Sequence, residues 1–177
     1  MDVKINTVVM DGKNTQDIIS LVQLTKELPV SVRFIEEMPF NGDGHQHSGI
    51  QWNYVQILDT IKSHFPLLNK IQDAPFSTSL NYNIPGHKGN VGIIAAYTRS
   101  FCGSCNRIRI TPKGLLKTCL YDNGLFNLKD MLRNGNTTTE IEQALNSALG
   151  TRHRNGWEAE KTTAQQTLHQ SMAAIGG

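Results

Sequence analysis

Every cysteine of this 177-residue chain lies between Phe101 and Tyr121, in FCGSCNRIRITPKGLLKTCLY. The spacing of Cys102, Cys105 and Cys119, C-x2-C-x13-C, constrains the fold more than any other feature. Read as a strand, Asn106 to Thr111 alternates: Ile108 and Ile110 point one way, Cys105, Arg107 and Arg109 the other. Pro112, Lys113 and Gly114 bring turn chemistry, and Leu115 to Tyr121 returns as a second strand with Lys117 and Cys119 on one face. A turn centred at Lys113 sets Cys119 opposite Arg107 and diagonal to Cys105. The long gap then closes in space, and three thiols converge beside two guanidiniums.

Three thiols leave a tetrahedral site one ligand short. A structural zinc needs a fourth donor, which a histidine such as His87 could supply. An iron–sulfur cubane held by three cysteines leaves one iron open to an outside ligand. A disulfide strands an odd thiol and suits secreted chains, whose features are missing here. Unmetallated core cysteines are the remaining reading. The spacing points to a metal and leaves zinc and iron–sulfur both open.

Charge narrows the partner class. From Ala74 to Tyr121 there is no Asp or Glu, although 15 acids in 177 residues would put about four there. Lys88, Arg99, Arg107, Arg109, Lys113 and Lys117 fall in the same window. Such a stretch suits a polyanion, and arginines two apart can each hold phosphate oxygens in a bidentate fork. Arg107 and Arg109, flanked by apolar residues and next to the thiols, are read as ligand contacts. Lys113 and Lys117, near the turn, are read as solvated hairpin cations.

This segment closely resembles the second-cluster region of the GTP 3′,8-cyclase family (molybdenum cofactor biosynthesis protein A) among radical S-adenosylmethionine (SAM) enzymes. VKINTVVM near the start, VRFIEEMPF from Val32 to Phe40 and the terminal Gly176-Gly177 fall in that family's order and spacing, so the resemblance covers almost the whole chain. The family's N-terminal C-x3-C-x2-C, which binds the SAM-cleaving cluster, has no counterpart, since all three cysteines are already used. The chain therefore resembles the family's C-terminal portion.

The resemblance implies an α/β fold, with residues 1–45 the closing part of an incomplete (βα) radical SAM barrel and residues 46–177 a small α+β iron–sulfur domain. It implies that Cys102, Cys105 and Cys119 hold a [4Fe–4S] cluster whose open iron meets the purine of GTP. Lys4, Arg33, Arg107, Ile108 and Arg109 would bind the substrate, Met38 would lie at the SAM site, and Gly176 and Gly177 would reach into the active site to assist catalysis. Glycine suits a chain end entering a crowded pocket. SAM and the second [4Fe–4S] cluster belong to the full-length enzyme, where a 5′-deoxyadenosyl radical takes a hydrogen from the GTP ribose before that carbon attacks guanine C8. The 177 residues alone should not cleave SAM. A partner carrying the missing half, or a second copy of the chain, is the implied protein partner. Two rival readings are a zinc module whose basic hairpin contacts nucleic acid, and a cluster-bearing accessory domain of a radical SAM enzyme that modifies peptides.

Composition agrees with a chain that folds in water. Hydrophobic residues at 38% and charged residues at 18% support a core, and a net charge of +2 is too slight to imply nucleic acid. No apolar run approaches the ~20 residues that cross a bilayer. Free thiols and no targeting segment point to the cytoplasm.

Along the chain, Val3 to Met10 reads as a strand with Lys4, Asn6 and Val8 on one face. Asn14 and Asp17 resemble a helix cap; Ile18, Leu21, Val22 and Leu28 form a buried stripe; and Val30 to Met38 is a second strand, completing a βαβ unit. Lys4 and Arg33 are cations in apolar strands and need anions, either a ligand or Glu36 or Glu37. The loop Asn41 to Gln51, with His45 and His47, is read as a solvated boundary. A helix from Asn53 to His64 follows, then strands near Thr78–Ile84 and Val91–Thr98 in a mostly antiparallel sheet with the cysteine hairpin. Gly86, Gly89 and Gly92 are taken as turn and bend residues. Helices at Leu128–Arg133 and from a Thr137–Glu140 capping box to Leu149 close the pattern, and Thr151 to Gln170 is expected to be extended or partly disordered.

Overall fold

The computed structural model describes residues 2–38, 50–98, 102–162, 171 and 174. They form an α/β structure that divides into two compact units: Met1–Met38 with His47–Phe101, and Pro39–Gln46 with Cys102–Gly177.

The first unit is built on one mixed sheet. β1 (Val3–Val9) and β2 (Val30–Glu36) are parallel in register Val3↔Val30 to Val9↔Glu36, joined through α1 (Ile18–Glu27) as the βαβ pattern requires. After α2 (Tyr54–His64) come β3 (Asn69–Lys70), β4 (Ser79–Asn83) and β5 (Asn90–Ile94). The strand order is β1-β2-β5-β4-β3, with β5 parallel to β2 and antiparallel to β4. The later strands thus extend the βαβ sheet instead of forming an antiparallel sheet with the cysteine hairpin. This compact unit takes strands from both sides of residue 45.

Period-two alternation sends Val9, Val32, Phe34, Val91 and Ile93 to one face, where they pack with Ile18 and Val22 of α1 and Ile57 and Ile61 of α2. Fully burying each of these side chains contributes about 1.5–3 kcal/mol. A complete capping box, Asn53 with Gln56, starts α2. The expected cap of α1 is different. Asn14 accepts the Met10 N–H at 2.8 Å and donates to the Val8 carbonyl, so it ties the turn after β1. Leu28 is exposed because the chain turns extended at that residue, and buried Thr25 takes its place in the stripe.

Gly89 is not a turn residue by conformation. A Cβ there would sit 2.1 Å from the Val30 carbonyl oxygen, so only glycine lets the two segments approach. Gly92 lies inside β5.

The second unit holds a three-stranded antiparallel sheet, β6 (Arg109–Ile110), β7 (Leu115–Lys117) and β8 (Phe126–Asn127), in that order. α3 (Leu128–Arg133) ends at Gly135, whose φ of 79° suits glycine. α4 (Thr138–Gly150) begins at the expected Thr137–Glu140 capping box. The polar stretch after it forms another helix, α5 (Gly156–Thr162), with Gly156 and Ala159 buried. Its small residues carry no apolar stripe, so periodicity could not reveal it. Among the described residues no helix is long and apolar enough to cross a membrane.

Candidate functional site

In the first unit the sheet face opposite the core is polar. Lys4, Asn6 and Val8 of β1 lie level with Ser31, Arg33 and Ile35 of β2, and Arg33 lies level with Gly92 of β5 and, through it, Asn81 of β4. Lys4 and Arg33 therefore share a face one diagonal step apart. Lys4 is half-exposed and pairs with Asp2 at 3.1 Å. Arg33 is partly buried, and its Nε is buried without a hydrogen-bond partner. Gly92 makes room for it: a Cβ at residue 92 would fall 3.1 Å from Arg33 Cγ and 2.3 Å from Ser79 Oγ.

Glu36 does not neutralise these cations. It belongs to the core face and is fully buried. Its oxygens accept the N–H groups of Tyr54 (2.7 Å), Tyr97 (2.8 Å) and Thr98 (2.7 Å), together with the Thr98 hydroxyl. One carboxylate thus ties the end of β2 to the N-terminus of α2 and to the exit of β5, at a helix end that favours negative charge. Met38 lies two residues further on, partly buried.

In the second unit a short 3-10 turn, Cys102–Ser104, folds the first two cysteines toward each other, with the Cys105 N–H on the Cys102 carbonyl at 3.3 Å. The strand expected over Asn106 to Thr111 is only two residues long. Its register, Arg109↔Lys117 and Ile110↔Leu116, keeps the spacing that sets position 107 against 119. Alternation also holds: Cys105, Arg107 and Arg109 are partly buried, whereas Ile108 and Ile110 are exposed. Ile108 lines a groove of about 390 Å³ with Leu116, Thr118, Leu145 and Leu149, between the hairpin and α4.

All three cysteines are free and half-buried. Burial raises the Cys105 thiol, but the Arg107 backbone N–H and the Arg152 guanidinium, both hydrogen-bonded to it, hold it below the ordinary thiol value of 9.0. Burial pushes the Cys119 thiol up despite the Tyr121 N–H, and Asp122, Cys102 and Cys105 push the same way. The thiols sense one another without meeting at a point. Among the described residues no three His, Cys, Asp or Glu side chains stand close enough to grip one metal ion. His87 is engaged elsewhere, with Nδ1 2.8 Å from Thr25 Oγ1 and its ring edge-on to Phe65.

Lys117 is not a solvated hairpin cation. It is 2% exposed and donates to the Leu120 carbonyl at 3.1 Å. Burial drives its ammonium below the ordinary value of 10.5; Asp122 and Cys119 oppose that, and Arg109 adds to it. Lys113 is exposed, as expected. Asp122 is also buried. Its carboxylate accepts the N–H groups of Thr118 (2.9 Å), Cys119 (2.7 Å) and Gly124 (2.9 Å) and the Thr118 hydroxyl (3.0 Å).

Sequence reasoning missed Asp122 and Arg152. Asp122 is the first acid after the acid-free window, a signal that was there to read. Arg152 lay in a stretch without pattern and reaches Cys105 only through the fold. Gly176, Gly177, His45, His47 and Arg99 lie outside the described residues.

Residues 30–157 match the family model described as Molybdenum Cofactor Synthesis C. The chain is 40% identical over 180 aligned positions to molybdenum cofactor biosynthesis protein 1 of Mus musculus, covering 98% of this chain and 27% of that protein. It is 34% identical over 181 positions to a mitochondrial GTP 3′,8-cyclase of Arabidopsis thaliana, covering 99% of this chain and 44% of that protein. With the GTP 3′,8-cyclase of Clostridium perfringens the identity is 36% over 148 positions, 83% of this chain and 45% of that protein. The chain thus spans from about a quarter to just under half of these relatives. The family match, covering most of the sequence and the whole cysteine hairpin, places the chain in the Molybdenum Cofactor Synthesis C family.

Proposed function

We propose that the chain supplies the nucleotide-holding part of a GTP 3′,8-cyclase, working in molybdenum cofactor biosynthesis. The observation that carries this reading is the hairpin face on which Cys105, Arg107, Arg109 and Lys117 lie together, in a segment free of acids. Cys102, Cys105 and Cys119 would hold a [4Fe–4S] cluster. The donor set fits: three free, half-buried thiols can each take an iron of one cluster, whereas a tetrahedral zinc needs a fourth ligand. When bound, the cluster supplies an iron without a protein ligand, open to the purine.

The chain's own residues then hold the rest of the nucleotide. Arg107 and Arg109 offer forks to phosphate oxygens, with the Ile108 backbone between them. Lys4 and Arg33 present two cations on one sheet face, and the buried, unpartnered Nε of Arg33 has hydrogen-bonding capacity to spare. The β1-α1-β2 unit is read as the closing part of a radical SAM barrel, with Met38 at the SAM edge and Gly176 and Gly177 entering the site. Positioning is the protein's share, and SAM at the N-terminal cluster supplies the radical. Unpaired thiols suit a reducing compartment, with the cytoplasm the simplest.

Anaerobic reconstitution with iron and sulfide, followed by GTP titration, tests the reading. About four irons per chain and a cluster spectrum altered by GTP are expected. Arg107→Ala and Arg109→Ala should each weaken GTP on the order of tenfold, the loss of one charged hydrogen-bonding partner. A colourless chain with one tightly held zinc, or a cluster indifferent to GTP, overturns it.

A further inference from the structure

Lys117 is a costly residue where it stands. It is almost fully buried and directly opposite another cation, Arg109, in the β6–β7 ladder. Like charges facing each other across strands are destabilising, and a buried charge is retained only with compensation. Its ammonium donates to a neutral carbonyl, that of Leu120. The negative charge nearest in sequence is Asp122, itself 5% exposed. The two act on one turn: Asp122 takes the N–H groups of Thr118, Cys119 and Gly124, while Lys117 takes the Leu120 carbonyl between them. The backbone on both sides of Cys119 is therefore fixed by two buried, oppositely charged side chains.

Asp122 needs both oxygens as acceptors for its N–H groups, but the single carbonyl that Lys117 meets calls for a donor and not for a charge, since a hydroxyl or an amide could donate there. Charge matters when the neighbouring thiols ionise. Three thiolates gather negative charge at Cys102, Cys105 and Cys119, on the hairpin face that Lys117 shares with Arg109.

We propose that Lys117 and Asp122 form a buried charge pair that positions the Cys119 arm and sets, with opposite signs, the electron affinity of the cluster those thiolates hold. The inference rests on the cluster reading above. A fixed positive charge favours the reduced, more negative cluster, and a fixed negative charge disfavours it. Both residues are positioning residues, acting through Cys119 and the local field.

The test is a potentiometric titration, followed by electron paramagnetic resonance, of the anaerobically reconstituted full chain. Lys117→Met should lower the midpoint potential and Asp122→Asn should raise it. Each shift is expected to be on the order of tenfold in the reduced-to-oxidised ratio at fixed potential, 59 mV for a one-electron couple. The Lys117→Met/Asp122→Asn double variant should return close to the starting value. Shifts of equal sign, or none, in variants that load the cluster overturn the proposal, because a purely structural role would not separate the two signs. Should Asp122→Asn fail to fold, Lys117→Met and Lys117→Gln decide alone: a lowered potential supports the pair and an unchanged one overturns it. An unsubstituted chain that loads no cluster overturns the functional reading, and this inference with it.

Discussion

Glu36 Oε2 accepts the backbone N–H of Thr98 at 2.7 Å, joining the last residue of β2 to the segment that follows the parallel strand β5, 62 positions away. The same carboxylate holds the first turn of α2. Glu36→Gln keeps the shape but turns one acceptor into a donor facing N–H groups. Unfolding in urea should show a loss of about 2–4 kcal/mol with an unchanged slope. A midpoint within error of the starting chain would refute the hub.

The space beside Arg33 is set by Gly92 and Ser79. Ser79 Oγ is buried without a partner, so Ser79→Ala should be neutral or slightly stabilising. Gly92→Ala should cost about 1–3 kcal/mol in the native background, because its Cβ meets that oxygen. In the Ser79→Ala background the cost should shrink. A double-mutant cycle with no coupling rejects this geometry.

His87 gives the first unit a pH dependence. Burial holds its imidazole below the ordinary value of 6.5, with Lys26 adding to the effect and Glu27 opposing it. The unfolded chain binds the proton more readily, so this contribution is present above 6.5 and erodes as pH falls through and below that value. Stability curves of the native chain and His87→Gln, compared across that window, should show a shallower fall for the variant. Parallel curves would assign the acid sensitivity elsewhere.

Arg152 reaches Cys105 from the turn after α4. In the reconstituted chain, Arg152→Ala should release iron to a chelator on the order of tenfold faster, and Arg152→Lys should retain part of the protection. Equal release rates would reduce the contact to packing.

Phe76 holds a φ of 60° in the turn closed by the Ser77 N–H on the Ala74 carbonyl at 3.1 Å. Its ring is exposed, so little packing offsets the strain. Phe76→Gly should raise stability by about 1 kcal/mol, the left-handed penalty less the flexibility glycine adds to the unfolded chain. A thermal melt at constant pH checks the sign.

The sequence by itself determined the local elements and the chemistry. Alternation in β1 and β2, the capping boxes at Asn53 and Thr137, and the thiol–arginine spacing are all written in neighbouring residues, where periodicity and side-chain reach act directly. Even the register that sets position 107 against 119 follows from the turn at Lys113. What only the tertiary structure decided is long-range. That β5 lies beside β2, that Glu36 turns to the core while the Nε of Arg33 is buried without a hydrogen-bond partner, that Lys117 and Asp122 are both buried, and that Arg152 finds Cys105 all depend on which surfaces pack. A charge in a sequence carries no label of its solvent exposure. Burial, which turns a lysine from a solvated tip into a source of field, is a property of the whole fold.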